Sequence, residues 1–387
     1  MKTIIVNSFI GFFSTKNSRA IGLMFAVNSM IFASWIVHIP FVKQKLGLSD
    51  GELGMALFGM PLGLLCMNPF TGTIIHRFGA KKITLWSAFF YILCVQLPVN
   101  AWNFVTLAGA LFFCGIGASL MNVAMNTCAV YVERQEERRI LSSCHGMWSI
   151  GGVLGSGLGS IFIWAGFSPP LHMMFIGLLL LTLILLWLRP DFSHIREYRD
   201  SGEKPAGLVK PSLALWLMIF IGVTVSMGEG LAFDWSAVYL EQYAGAPYEV
   251  ASLGFALFAV AMAAGRFSGD AIVPLIGEKK ILRFGAVFIA LGISTCIFLP
   301  TVGTCLAGFF LLGMGCSLGN PMLYAMSMRI PGIMPAAGLA TFASLSMLGF
   351  LAGPPVIGFI ADAWSLAYGL AFVGVLAMIS FFVVKYL

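Results

Sequence analysis

Glu229 is a carboxylate set deep in a long apolar stretch, with Gly228 before it and Gly230 after it. An ionisable group at mid-bilayer costs about 2.5–3.5 kcal/mol on insertion scales, so it is kept where it faces an aqueous cavity or a partner. Two chemistries suit it: binding and releasing a proton, or accepting hydrogen bonds from the hydroxyls of a solute. A structural bond to a neighbouring helix is the alternative. The flanking glycines are expected to loosen the helix and free backbone carbonyls beside the carboxylate. Asp234 follows five residues on, about 140° around a helix, so the two carboxylates do not share a face. It precedes Trp235 and reads as a second proton-coupling or gating candidate, or as a bond between helices.

Amides and aromatic rings supply the rest of a candidate binding set. Asn122 and Asn126 are four apart and project to one side of a helix, where amides suit hydroxyl-rich solutes and equally join helices. Their counterparts 198 residues later are Asn320 and Tyr324. Trp148 and Ser149 follow His145 in HGMWS, and Trp35 pairs with Trp235 at an offset of 200. An indole can stack on a sugar face while its N–H finds an acceptor, or it can simply pack or sit at an interface. His145 could switch with pH near neutrality or be a neutral imidazole bonded to a carbonyl. His38 reads as interfacial. Arg266 and Asp270 are again four apart, as a state-dependent latch or a permanent pair.

These residues require elements that bring them together, and the chain carries the signature of two similar halves. LGMALF at Leu53–Phe58 returns as LGFALF at Leu253–Phe258, and GIGASLMN at Gly115–Asn122 returns as GMGCSLGN at Gly313–Asn320. Gly151 and Gly155 meet Gly349 and Gly353 at the same offset of 198. With 59% hydrophobic and 10% charged residues and a mean hydropathy of +0.94, the chain is too apolar to cover a soluble surface. Its apolar runs reach the length of about 20 residues that spans a bilayer, and they are continuous, which excludes an alternating membrane barrel.

The apolar runs predict twelve spans, over 20–42, 50–76, 82–98, 104–132, 141–165, 171–188, 212–241, 249–275, 280–299, 302–329, 334–361 and 366–386. The domains expected are a lead-in over 1–19, a six-helix bundle over 20–188, a polar cytoplasmic linker over 189–211 and a second six-helix bundle over 212–387. The lead-in lacks a clear cleavage site and reads as an uncleaved interfacial segment. With the N-terminus inside, every one of the 22 Lys and Arg except Lys43, Lys45 and Arg266 is cytoplasmic, so both termini are expected there. The net charge of +6 then reflects topology and gives no support to nucleic-acid binding. Eight scattered Cys form no metal-spaced or CxxC pair, and no Walker loop or hydrolase elbow occurs, so no metal, cofactor or enzymatic chemistry is expected.

The loop GTIIHRFGAKK, Gly72–Lys82, between the second and third spans resembles the G-x3-D-R-x-G-R-R/K motif of the major facilitator superfamily. Arg77 matches, and His76 stands where the family has Asp, which bears on the strength and pH response of the cytoplasmic latch built there. NVAMNTCAVYVER (Asn122–Arg134), HGMWSIGG (His145–Gly152), GEGLAFDWSAVYL (Gly228–Leu240) and GRFSGD (Gly265–Asp270) resemble a bacterial branch related to the fucose permeases. The resemblance implies an all-α membrane protein of twelve transmembrane helices in two pseudo-symmetric six-helix bundles, working as a monomer in the bacterial inner membrane. It implies a secondary active transporter whose partners are a small-molecule solute, protons and membrane lipid. Small-residue runs GSGLGS (Gly155–Ser160) and GFLAGPP (Gly349–Pro355) would let helices rock in alternating access. A proton-coupled carrier of a sugar or sugar derivative is the leading expectation. A drug or metabolite exporter, an uncoupled facilitator and a non-transporting receptor are the alternatives.

Overall fold

The apolar runs of this chain are continuous and long enough to span a bilayer, and in a computed structural model the described residues are almost entirely helical, with no strand among them. The structure describes residues 12–138, 140–192, 194–197 and 209–387, apart from the side chains of Ser142, Asp270, Ala271 and Ala336. Most of the expected lead-in and much of the linker therefore lie outside the described residues. In the described residues, twelve helical stretches are long and apolar enough to cross a membrane. They are α1 (Lys16–Leu46), α2 (Asp50–Phe78), α3 (Ala80–Asn100), α4 (Phe104–Glu136), α5 (Ser143–Trp164) and α6 (Pro169–Phe192). The second half supplies α7 (Leu213–Ala244), α8 (Tyr248–Gly269), α9 (Glu278–Phe298), α10 (Val302–Ser327), α11 (Ala337–Ala363) and α12 (Leu366–Tyr386). Even the 21-residue members reach about 31 Å, the thickness of a hydrocarbon core. The chain is a multi-pass helical membrane protein.

The duplication read in the sequence recurs in local structure. Asn103 and Thr106 cap the start of α4 reciprocally, side chain to backbone in both directions. At the offset of 198, Thr301 and Thr304 do the same for α10. Each box satisfies backbone donors that the first helical turn cannot pair internally. The halves depart from symmetry at one place: α4 contains an unbroken helix over Phe104–Glu136, whereas α10 is interrupted at Ser317–Leu318, so Asn320 and Tyr324 ride on a separate segment, Gly319–Ser327.

Two compact units divide the chain, residues 1–42 with 59–201, and residues 43–58 with 202–387. In the first, α5 lies so close on α1 that a Cβ at Gly151 would fall 2.1 Å from the Ala26 carbonyl oxygen, and α4 lies on α2 with Gly115 facing the Met60 carbonyl at 2.0 Å. In the second, α11 lies on α7, where a Cβ at Gly349 would fall 2.4 Å from the Val223 carbonyl oxygen, and α10 lies on α8, where one at Gly313 would fall 2.4 Å from that of Phe258. In lipid there is no hydrophobic drive between apolar helices, so close backbone approach at small residues carries the packing.

Residues 43–58 group with the second unit although the sequence repeat assigns them to the first half. The start of α2 lies on α11, where Gly54 faces the Pro354 carbonyl and Gly358 faces the Asp50 carbonyl. Ser49 Oγ donates to Asp362 Oδ2 at 2.9 Å, Lys43 Nζ meets Asp50 Oδ1 at 2.6 Å, and Gln44 bonds Glu241. In the first unit α6 runs on helically through residues 189–192, and its end pairs Asp191 with Arg19 at 3.5 Å.

The glycine contacts predict a specific pattern of tolerance. Gly151→Ala, Gly155→Ala and Gly349→Ala each place a methyl against a carbonyl within 2.7 Å and should destabilise by about 1–3 kcal/mol. Gly353→Ala, whose nearest neighbour is Met227 Cγ at 4.0 Å, should be neutral or stabilising. Thermal unfolding of the four variants in one detergent checks the pattern.

Candidate functional site

Ser212 caps α7 by accepting from the Leu215 N–H, and from there the helix runs without interruption to Ala244. Glu229 lies on this continuous stretch, so the expected loosening at Gly228 and Gly230 is corrected. The glycines act instead on packing. Gly228 brings α7 against α10, where an added Cβ would lie 3.1 Å from Cys316 Sγ, and Gly230 faces Phe350 of α11 at 3.6 Å. These three helices thereby close around a carboxylate that is only 7% exposed.

Of the other sequence candidates in the second unit, Asn320 bonds Glu229, and Arg266 and Tyr324 interact with it electrostatically. Asn320 Nδ2 donates to Glu229 Oε1 at 3.4 Å, the long end of hydrogen-bond geometry. The Arg266 guanidinium on α8 acts electrostatically on Glu229 and on Tyr324, yet forms no ion-pair contact with either among the described residues. Tyr324 stands edge-on to Phe342 with ring centres 5.2 Å apart. Arg266 Nε and Asn320 Oδ1 are buried and have no hydrogen-bond partner among the described residues. The interruption of α10 supplies this geometry by giving Asn320 and Tyr324 their own helical segment.

One turn along α7, Phe233 caps the carboxylate's side of the helix. Its ring lies 5.5 Å from Phe255 and 5.8 Å from Phe258, both edge-on, and 6.0 Å from a near-parallel Phe350. This aromatic cluster escaped the sequence reading because single Phe residues in apolar helices carry no spacing signal. Asp234 is half-buried on another face. Trp235 is fully buried and its Nε1 is without a hydrogen-bond partner among the described residues. Trp35 in the first unit is 3% exposed, so neither of these two indoles offers an open face.

The first unit holds the remaining candidates. Asn126 Nδ2 donates to Asn122 Oδ1 at 3.0 Å and to the Asn122 carbonyl at 2.8 Å, so the Asn126 donor is spent on Asn122 along α4. Trp148 Nε1 donates to Asn28 Oδ1 at 3.1 Å, while Asn28 Nδ2 is buried without a partner among the described residues. Asn28 was missed because it stands alone in α1 with no repeated counterpart. Ser149 Oγ bonds back to the His145 carbonyl at 3.4 Å, and the His145 ring meets Phe25 edge-on at 5.3 Å. His38 is a correction: it is fully buried rather than interfacial, and its Nε2 lies 2.7 Å from Nδ1 of an equally buried His172.

The basic loop is built differently from the motif it resembles. His76 and Arg77 are exposed at the end of α2, with Arg77 5.3 Å from the Phe78 ring centre. Gly79 follows at φ +87°, a conformation that favours glycine, and starts α3 beside Glu197, whose Oε1 accepts from the Lys81 N–H at 2.7 Å. The carboxylate at this corner therefore arrives from residue 197 and sits at a helix N-terminus, where negative charge is favoured. Of the Arg266–Asp270 latch, the Asp270 side chain lies outside the described residues. No group of three or more His, Cys, Asp or Glu that could hold a metal occurs among the described residues.

The family model described as Major Facilitator Superfamily matches residues 21–332. An uncharacterised MFS-type transporter of Yersinia pestis is 32% identical over 361 residues, covering 92% of each chain. The 3-(3-hydroxy-phenyl)propionate transporter of Escherichia coli K12 is 24% identical over 352 residues, covering 87% of this chain and 83% of its own. Among solved structures, the nucleoside transporter NupG superposes with a TM-score of 0.76 at 10% identity, covering 95% of this chain and 98% of NupG, a likeness of fold.

Proposed function

Because the chain belongs to the major facilitator superfamily and is a transporter rather than an enzyme, we propose that it moves a small hydroxylated organic solute across the bacterial inner membrane in a proton-coupled, alternating-access cycle. The observation that carries this reading is Glu229: a carboxylate 7% exposed, given one long amide hydrogen bond and a guanidinium at a distance. A carboxylate so sparsely supplied with donors is a group for binding and releasing a proton, since a permanently ionised one needs several close donors.

Solute recognition falls to neighbours that can both donate and accept. Asn320 and Tyr324 provide such groups beside Glu229. A sugar or sugar derivative suits these hydroxyl-matching groups. The relative that carries 3-(3-hydroxy-phenyl)propionate supports a hydroxylated organic cargo more broadly. His145 and Asp234 are the other candidates for proton exchange, and His76 and Arg77 belong to the inner latch. The carrier acts as a monomer with both termini cytoplasmic.

Uptake driven by a pH gradient in proteoliposomes tests the reading across a panel of sugars, sugar acids and lipophilic cations. Glu229→Gln should abolish accumulation, by a factor of ten or more for roughly 1.4 kcal/mol of lost driving force, while leaving downhill exchange of the same solute. Accumulation that survives the substitution moves coupling elsewhere, and accumulation or extrusion of lipophilic cations alone turns the reading to an exporter. Orientation is tested by labelling. In a Cys66→Ser background, Trp102→Cys should react with an impermeant maleimide in intact cells, and Glu137→Cys only after lysis.

A further inference from the structure

Arg266 is the group in the second unit whose chemistry remains unspent. A guanidinium is always charged and carries five N–H donors in a planar fork. Inside an apolar helix bundle such a group is normally hydrogen-bonded or paired, because an unmatched buried charge is among the costliest features a protein can hold. Here Arg266 forms no hydrogen bond or ion-pair contact with any described residue, and its Nε is buried. Across the α8–α10 contact, where a Cβ on the adjacent Gly265 would meet Ser317 Oγ, Asn320 commits its Nδ2 to Glu229, on which Arg266 also acts, while its Oδ1, a buried acceptor, has no donor among the described residues. One cationic fork and one acceptor are thus offered together.

We infer that Arg266 and Asn320 anchor the solute, and that this solute is a hydroxylated monocarboxylate: its carboxylate lies on the Arg266 fork and a hydroxyl donates to Asn320 Oδ1. Planar carboxylates match a guanidinium through two parallel hydrogen bonds, which a neutral hydroxyl cannot reproduce. The inference rests on the transporter reading and deepens it. It also says why a proton would travel along. Arg266 with ionised Glu229 is neutral in sum. An arriving carboxylate alone would leave the set with an excess negative charge in an apolar bundle, and a proton on Glu229 restores neutrality. Acid and proton enter as a neutral pair, and a phosphate dianion is disfavoured because its second charge has no counter-charge among these groups.

Thermal unfolding of the purified full chain tests the anchor, using matched pairs: D-galacturonate with D-galactose, D-glucuronate with D-glucose, and 3-hydroxybutyrate with 1,3-butanediol. At about 10 mM, ten times the dissociation constant of a millimolar site, at least one acid should raise Tm by about 2 °C or more while its neutral partner does not. Arg266→Gln should remove that shift without lowering the Tm of the unliganded protein, and Arg266→Lys should retain a smaller shift. The inference is overturned if no acid stabilises, if the neutral partner stabilises equally, or if Arg266→Gln keeps the shift. It is also overturned if Arg266→Gln alone lowers Tm by several degrees, as loss of a structural pair with Asp270 would. Flux measured in parallel separates this failure from failure of the transporter reading. Glu229-dependent uptake of neutral hexoses only would sink the anchor and leave the carrier, whereas acid binding with no flux of any solute would do the reverse.

Discussion

A carboxylate placed in the apolar interior of a helix bundle must find its donors within that bundle, and the second unit is organised around how Glu229 does so. Gly228 lets α7 approach Cys316 of α10, and Gly230 lets it approach Phe350 of α11. The interruption at Ser317–Leu318 then turns Asn320 toward the carboxylate. The result is a partial match: one long hydrogen bond, one cation acting at a distance, and two buried polar atoms without partners among the described residues. A fully matched network would lock the helices, whereas a partly matched one changes its balance when a proton or a solute arrives.

The frame that holds this arrangement is built from backbone contact at glycine, repeated in both halves. Gly115 with Gly313, and Gly151 with Gly349, each bring a neighbouring helix's carbonyl within a distance that no side chain would allow. The capping boxes at Asn103–Thr106 and Thr301–Thr304 start corresponding helices in each half. Upon this common frame the two units differ in their polar content. In the first, Asn126 donates to Asn122 and Trp148 is held by Asn28. In the second, the counterparts Asn320 and Tyr324 stand with Glu229 and Arg266 instead.

Helix number, approximate span positions and the repeat were legible in the sequence because they depend on run length, hydropathy and identity at a fixed offset. All twelve expected spans overlap a helix long and apolar enough to cross a bilayer. Glu229 was legible for the same reason that it is costly: a lone charge in an apolar run stands out. What was not legible depends on side chains from distant elements. Asn28 and His172 are single polar residues without spacing partners, and only folding reveals that they meet Trp148 and His38. The glycines flanking Glu229 admit neighbouring helices where loosening of their own helix is expected, because sequence does not distinguish a glycine that loosens a helix from one that admits a neighbour. Glu197 likewise gave no sign that its carboxylate would reach the start of α3.

The central claim is that Glu229 exchanges a proton as solute binds. Infrared difference spectroscopy of the reconstituted protein, recorded on adding a transported solute at constant pH, reads carboxyl protonation directly. The account predicts a change in the protonated-carboxyl band that is absent in Glu229→Gln and present in Asp234→Asn. A band unchanged by Glu229→Gln, or no carboxyl change on solute addition, would contradict it.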